Sequence, residues 1–84
     1  MPTVKETFVM DVEYTDTFGG DANYSWVQRN TLRLPTDASD RLIMRRAKAL
    51  MGLTGVRGRT SDLGDGFEFR PYGECTVLFV TTRY

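Results

Sequence analysis

The sequence lacks histidine and has a single cysteine, Cys75, among its 84 residues. Histidine is the commonest general base in enzymes, so its absence removes the most frequent form of acid–base catalysis. One cysteine cannot form a disulfide within the chain, and a zinc site of the usual Cys/His type is excluded. A lone thiol is more typical of a reducing compartment than of a secreted protein. These absences favour a non-enzymatic protein with no cofactor and no metal site.

Long apolar runs are also missing, since the longest, Val77 to Val80, has four residues. A membrane-spanning helix needs about 20, and Met1 to Glu6 lack the apolar core of a signal peptide. We therefore expect a cytoplasmic protein. The length predicts one domain over residues 1–84. An apolar content of 40% and an aromatic content of 12% exclude a disordered chain.

The net charge is zero, but the charges are unevenly distributed along the chain. Residues 1–40 carry seven acidic and three basic side chains, for a net charge of −4. Residues 41–84 carry eight basic and four acidic side chains, for a net charge of +4. This separation predicts two electrostatic faces, unless folding brings the two halves together.

The first third of the chain predicts two strands joined by a long loop. From Thr7 to Tyr14, apolar residues alternate with Asp11 and Glu13, which is typical of a strand with one solvated face. Residues 15–23 contain Gly19 and Gly20 with Asp and Asn, a composition typical of turns. A second strand is predicted over residues 24–34 and ends at Pro35, which cannot donate to a sheet ladder. Its alternation places Tyr24 and Trp26 on one face.

A helix is predicted next, with Thr36 or Asp37 as its N-cap and its end near Met51. Apolar residues recur along one side of this helix, and Gly52 has the position of a C′ residue. A glycine-rich loop follows over residues 55–66, and then a short strand over 67–70. Residues 71–73 predict a turn, and residues 75–83 a last strand that is central in its sheet, because both of its faces are apolar. The predicted fold is α+β with the order ββαββ: a four-stranded, mostly antiparallel sheet with one helix packed on one face.

Candidate catalytic groups have little support in the sequence. Cys75 has no local cue for thiolate formation, which favours a packed thiol. Asp62, Asp65 and Glu68 are suited to Mg²⁺ or Ca²⁺, but their spacing matches no ion-binding loop, and a solvated turn explains them as well. A metal-dependent hydrolase or nuclease is therefore the weakest hypothesis.

The predicted helix carries a basic ridge with spacing i, i+4, i+7. Such a ridge is explained by solvation, by contact with a protein or by contact with nucleic acid phosphates. The sequence pI of about 6.2 is low for a nucleic-acid-binding protein. The basic surface comprises Arg41, Arg45, Arg46 and Lys48, extended by Arg57 and Arg59.

The segment around the paired glycines is the candidate partner-binding site. Aromatic residues dominate binding hot spots, and Phe18 beside Gly19 is hard to explain as a core residue. Trp26 fits either a binding surface or the core, and its size in a small domain favours the core. The candidate partner-binding residues are Phe18, Asp21, Tyr24 and Arg29.

The segment YTDTFGGDANYSWVQR from Tyr14 to Arg29, followed by Ala47-Lys48-Ala49 and residues 52–57, resembles a group of small bacteriophage and prophage proteins. The likeness covers about half of the chain. No activity is established for the group, so no functional residue is carried over. The resemblance implies a viral protein in bacterial cytoplasm, where small phage proteins often bind and block host complexes, CRISPR and other defence machinery included.

The leading hypothesis is thus a non-enzymatic phage-type protein that binds and inhibits or redirects a host protein complex, an anti-CRISPR or other anti-defence inhibitor being one form. The alternative is a small nucleic-acid-binding regulator that uses the basic surface. A homodimer through a free strand edge is a further expectation.

Overall fold

The computed structural model describes residues 6–82, which form an α+β structure, as predicted. The elements are β1 (Thr7–Phe18), β2 (Asp21–Pro35), α1 (Asp40–Leu50), β3 (Gly58–Asp62), β4 (Gly66–Pro71) and β5 (Thr76–Thr82). The chain order is therefore ββαβββ. The strands form one antiparallel sheet in the order β2-β1-β5-β4-β3.

The described residues form five strands where the sequence predicts four, because β3 lies in the segment predicted as a loop. This strand has no apolar residue and no alternation, so periodicity cannot detect it. It forms by pairing along β4, from Gly58 opposite Pro71 to Asp62 opposite Phe67. A Cβ on Gly58 would meet the Arg70 carbonyl oxygen and the Phe69 ring, so glycine permits the close approach of the two strands.

The prediction of a loop over residues 15–23 is wrong, because most of these residues belong to the hairpin of β1 and β2. Both strands continue to the turn, and Phe18 pairs with Asp21 across Gly19 and Gly20. These glycines have φ angles of 63° and 90°. Two consecutive residues with positive φ are typical of a type I′ turn, whose twist matches that of the strands. The loop is therefore only two residues long.

The helix begins later than predicted. Its N-cap is Ser39, whose Oγ accepts a hydrogen bond from the Leu42 backbone N at 3.2 Å, and not Thr36 or Asp37. The predicted end is confirmed, because Gly52 has a φ of 72° and the Leu53 N donates to the Lys48 carbonyl at 2.7 Å. These features are those of a helix closed by a left-handed C′ residue.

The core lies between α1 and one face of the sheet, here called the helix face. Ile43, Ala47 and Leu53 are the buried residues that α1 and the following loop contribute. The central position of β5 is confirmed, since it lies between β1 and β4. The sheet contributes Met10, Val12, Leu32, Leu34, Phe69, Leu78 and Val80 to the core.

The opposite side of the sheet, here called the far face, is polar over much of its area. Strand alternation and register place Arg29, Glu13, Phe79 and Glu68 in one row across β2, β1, β5 and β4. Arg83, predicted to end the last strand, lies outside the described residues. No helix among residues 6–82 is long and apolar enough to cross a membrane.

Candidate functional site: the end of the β1–β2 hairpin

The hairpin end, defined as residues 13–29, exposes three aromatic side chains. Phe18 at the turn is 80% exposed, Tyr24 47% and Trp26 40%. Burial of a large aromatic side chain stabilises a folded domain by about 1.5–3 kcal/mol, so leaving three outside the core forgoes a large stabilisation. Their exposure on one hairpin distinguishes this part of the surface from scattered apolar residues.

The turn itself is attached to the rest of the sheet. The Arg70 guanidinium donates from Nη1 to the Gly20 carbonyl oxygen at 2.7 Å, across 50 residues of sequence. Arg70 also forms an ion pair with Glu68, with Nε and Oε2 3.2 Å apart. The Arg70 side chain therefore links the turn to β4. Val77, which precedes Leu78 on β5 and lies on the far face, is completely buried.

A bulge interrupts the pairing of β1 and β2 just before the turn. On β1, Asp16 alone separates Thr15 from Thr17, while on β2 residues 23–26 separate Ala22 from Val27. The three extra residues of β2 must leave the regular ladder. Tyr24 does so with a φ of 56°, the one positive value of a non-glycine residue in the described chain. A bulky residue in this region is uncommon and marks a conformation that its neighbours impose.

The Asp16 carboxylate organises this bulge. Oδ2 accepts from Asn23 Nδ2 at 2.9 Å and from Ser25 Oγ, and Oδ1 accepts from the Ser25 backbone N at 3.0 Å. These hydrogen bonds, the one from the Ser25 hydroxyl first, hold the pKa of Asp16 well below its usual range. Hydrogen bonds to the charged form favour that form, so Asp16 is ionised at neutral pH.

Thr15 supports the bulge from inside. It is fully buried, and its Oγ1 donates to the Trp26 carbonyl oxygen at 2.7 Å. The same Oγ1 lies 3.2 Å from Asp16 Oδ1. A carbonyl displaced from the strand ladder needs another donor. The Thr15 hydroxyl supplies that donor, and so it fixes the backbone of Trp26.

Tyr24 and Arg29 both bind Glu13. The Tyr24 hydroxyl donates to Oε1 at 3.3 Å, and Arg29 Nε donates to Oε2 at 2.7 Å. Partial burial, followed by the charge and the hydrogen bond of Glu13, raises the pKa of the Tyr24 hydroxyl. Tyr24 thus lies on the far face with its ring half-exposed.

Trp26 lies on the other side of the hairpin. Its ring meets that of Tyr14 edge to face, with centroids 5.4 Å apart and an interplanar angle of 66°. Tyr14 packs against the core, and its hydroxyl donates to Thr76 Oγ1 at 3.0 Å. The prediction that Trp26 is a core residue is wrong. The core ends at Tyr14, and Trp26 extends the helix face beyond it into solvent.

The predicted partner-binding residues therefore form two pairs. Phe18 and Asp21 face each other across the turn and are both exposed. Tyr24 and Arg29 meet at Glu13. Beside the second pair, the far face has a shallow groove of about 560 Å³. Its lining includes Asp11, Glu13, Arg29, Asn30, Thr31 and Thr81.

Sequence reasoning missed the two residues that shape the hairpin end. Asp16 and Thr15 act across β1 and β2, on residues seven to eleven positions away. No local spacing rule relates such positions. A visible signal is a short acidic side chain followed by a segment with Asn and Ser, the side chains that compete with regular backbone pairing.

The predicted basic surface is divided. Arg41, Arg45 and Lys48 lie along one side of α1, whereas Arg59 points to the far face, because the adjacent Gly58 faces the Phe69 ring. Lys48 is engaged: its Nζ donates to the Val56 carbonyl oxygen at 2.7 Å and lies 4.5 Å from the Phe69 ring centroid. Arg46 and Arg57 are exposed. The six basic residues do not form one continuous surface.

The candidate catalytic groups are not assembled. Cys75 is exposed, which corrects the expectation of a packed thiol. Asp62 Oδ1 accepts from the Gly64 backbone N at 2.8 Å, and Glu68 pairs with Arg70. Across residues 6–82, no three His, Cys, Asp or Glu side chains are grouped so that they could hold a metal ion.

No protein-family model, curated protein sequence or solved structure matches this chain.

Proposed function

We propose that this chain is a non-enzymatic binding protein whose hairpin end contacts a partner protein. The observation that supports this proposal is the exposure of Phe18, Tyr24 and Trp26 on a hairpin whose irregular backbone is held by Asp16 and Thr15. Aromatic residues are enriched among the residues that contribute most to binding energy. A surface already held in one conformation loses less entropy on binding.

The chemistry of the hairpin end suits a protein partner. Phe18 offers an apolar anchor, and Asp21 lies directly across the turn from it. The Tyr24 ring is apolar with a polar tip, a combination that is favoured at interfaces between proteins. Around this apolar centre, Arg29 and Glu13 form a polar rim.

The resemblance to small phage and prophage proteins supports a bacterial host protein as the partner. In that context the partner is a host protein complex, which this chain inhibits or redirects in the bacterial cytoplasm. A complex of host defence, such as a CRISPR complex, is one such target. The hairpin end then acts by occupying a surface that the complex needs.

The test is a pull-down from bacterial lysate with the tagged chain, its Phe18→Ala variant and a matched control. Leu63→Ala removes another exposed apolar side chain, 45% exposed, from the turn between β3 and β4. We expect a host protein to be retained by wild type and by Leu63→Ala after nuclease treatment. Truncation of a hot-spot residue weakens binding by about 2 kcal/mol or more, so Phe18→Ala should reduce capture about 30-fold.

Equal capture by Phe18→Ala and by the double variant Phe18→Ala/Tyr24→Ala would refute the choice of surface. Circular dichroism of each variant checks that the fold is retained. Recovery of nucleic acid alone, lost when salt is added, would instead support the alternative of a nucleic-acid-binding regulator. That alternative uses the basic surface of Arg41, Arg45, Arg46, Lys48, Arg57 and Arg59.

A further inference from the structure

A second groove lies between α1 and the loop that follows it. Its volume is about 260 Å³, and its lining is mainly apolar. None of its lining residues belongs to the hairpin end. The lining residues are Arg41, Met44, Arg45, Lys48, Thr54 and Gly55.

The rim of this groove is basic. Arg41 and Arg45 are one helical turn apart and both exposed, and no ion pair or side-chain hydrogen bond joins either guanidinium to another described residue. Two like charges at this spacing repel each other. Between Arg41 and Arg59 the chain has six bases and no acid, while Asp37 and Asp40 precede Arg41. An acidic ligand at the rim would offset the repulsion between the two guanidinium groups.

The groove is preformed by Lys48. Its Nζ binds the Val56 carbonyl oxygen at 2.7 Å and lies over the Phe69 ring at 4.5 Å. These contacts tie the loop that contains Thr54 and Gly55 to the helix. Met44 is half-buried and lines the groove, where it offers a flexible apolar surface that adapts to different side chains.

We propose that this groove binds an acidic segment of a partner protein, with one apolar side chain seated against Met44 and flanking carboxylates on Arg41 and Arg45. Arginine pairs with carboxylates through two parallel hydrogen bonds. The apolar lining favours such a segment over a nucleic acid backbone, which has no apolar side chain to fill it. The division of the basic residues between α1 and the far face disfavours a continuous phosphate track. This inference is independent of the hairpin end.

The probe is a fluorescein-labelled peptide of sequence Asp-Glu-Leu-Asp-Glu, titrated with the full chain at low salt and followed by fluorescence anisotropy. Replacing both Arg41 and Arg45 with glutamine should weaken binding at least tenfold. The matched control replaces Arg57 and Arg59 with glutamine, with the same loss of charge outside the groove. This control variant should bind the peptide with an affinity within threefold of wild type. A peptide with glycine in place of leucine should bind about tenfold more weakly, because it leaves Met44 uncovered.

Nuclear magnetic resonance decides the location. The amide signals of Thr54 and Gly55 should shift on peptide addition, and Phe18→Ala should bind the peptide as wild type does. An unchanged spectrum at millimolar peptide would overturn the proposal, as would equal losses in the two arginine pairs. Two other results would also overturn the proposal. One is displacement of the peptide by a single-stranded oligonucleotide. The other is self-association of the chain that Arg41→Gln/Arg45→Gln abolishes, which would assign the groove to another copy of this chain.

Discussion

Replacing Thr15 with valine removes one hydroxyl from the centre of the hairpin end and changes little else in size. The hydroxyl is the donor to the Trp26 carbonyl oxygen at 2.7 Å, in a residue with no exposed surface. Valine cannot replace this donor. The carbonyl must then remain without a partner or turn toward water, which moves the bulge that presents Tyr24 and Trp26.

The magnitude follows from the lost hydrogen bond. A buried acceptor left unsatisfied costs about 1–3 kcal/mol. Since Trp26 is 40% exposed, water can partly replace the donor. We therefore expect a loss in the lower half of that range, about 1–2 kcal/mol of unfolding free energy. For a domain of this size, each kcal/mol lowers Tm by about 4–8 °C, so Tm should fall by about 4–16 °C.

The assay uses the single tryptophan of the chain. Urea unfolding followed by Trp26 fluorescence gives the change in free energy, and acrylamide quenching reports the exposure of the ring. The matched control is Thr31→Val, an exposed threonine on β2 whose hydroxyl makes no hydrogen bond in the described chain. Exposed substitutions of this kind change stability by about 0.5 kcal/mol or less. A Thr15→Val protein with the stability and quenching of wild type would refute the role assigned to Thr15.

Two further predictions concern the sheet and the charge of Asp16. In Gly66→Ala the new Cβ would meet the Val80 carbonyl oxygen, so β4 and β5 must separate. We expect the free energy of unfolding to fall by about 1–3 kcal/mol, measured by thermal unfolding. An unchanged Tm would contradict the close approach of the two strands. Hydrogen bonds from Ser25 and Asn23 lower the pKa of Asp16 in the folded protein. The ionised Asp16 carboxylate therefore stabilises the folded state at pH values above its ordinary pKa of about 3.9, and this contribution is lost as the pH falls below that value. An acid titration of Trp26 fluorescence should therefore change only below about pH 4, and Asp16→Asn should lack this transition. The same transition in Asp16→Asn would assign it to another carboxylate.

The fold was predictable where one local pattern had one explanation. The alternation of β1 and the apolar run of β5 correctly indicate strands, and Gly52 correctly marks the end of α1. Each of these signals depends on residues within a few positions of one another. The strand β3 gives no such signal, because its residues Gly58–Asp62 become a strand only when β4 lies beside them.

The candidate site was predictable in composition but not in shape. The aromatic and glycine content of residues 18–29 correctly places exposed Phe18 and Tyr24 outside the core. The position of Trp26 was wrong, because the size of a side chain does not reveal where the core ends along a long strand. The predicted basic surface joined a ridge with helical spacing to Arg57 and Arg59 from the following segment, and no spacing rule shows that Arg59 lies on the other side of the sheet from α1.

The bulge explains why simple alternation fails at the hairpin end. An alternating strand would place Tyr24 and Trp26 on the same face, two residues apart. The positive φ of Tyr24 turns its side chain to Glu13 on the far face, while Trp26 meets Tyr14 on the helix face. One hairpin therefore presents aromatic rings on both sides, with Phe18 at its turn. A partner cleft that encloses the hairpin end would contact all three rings, whereas a flat partner surface would meet only one side. Separate losses of binding for Tyr24→Ala and Trp26→Ala would indicate the enclosing cleft.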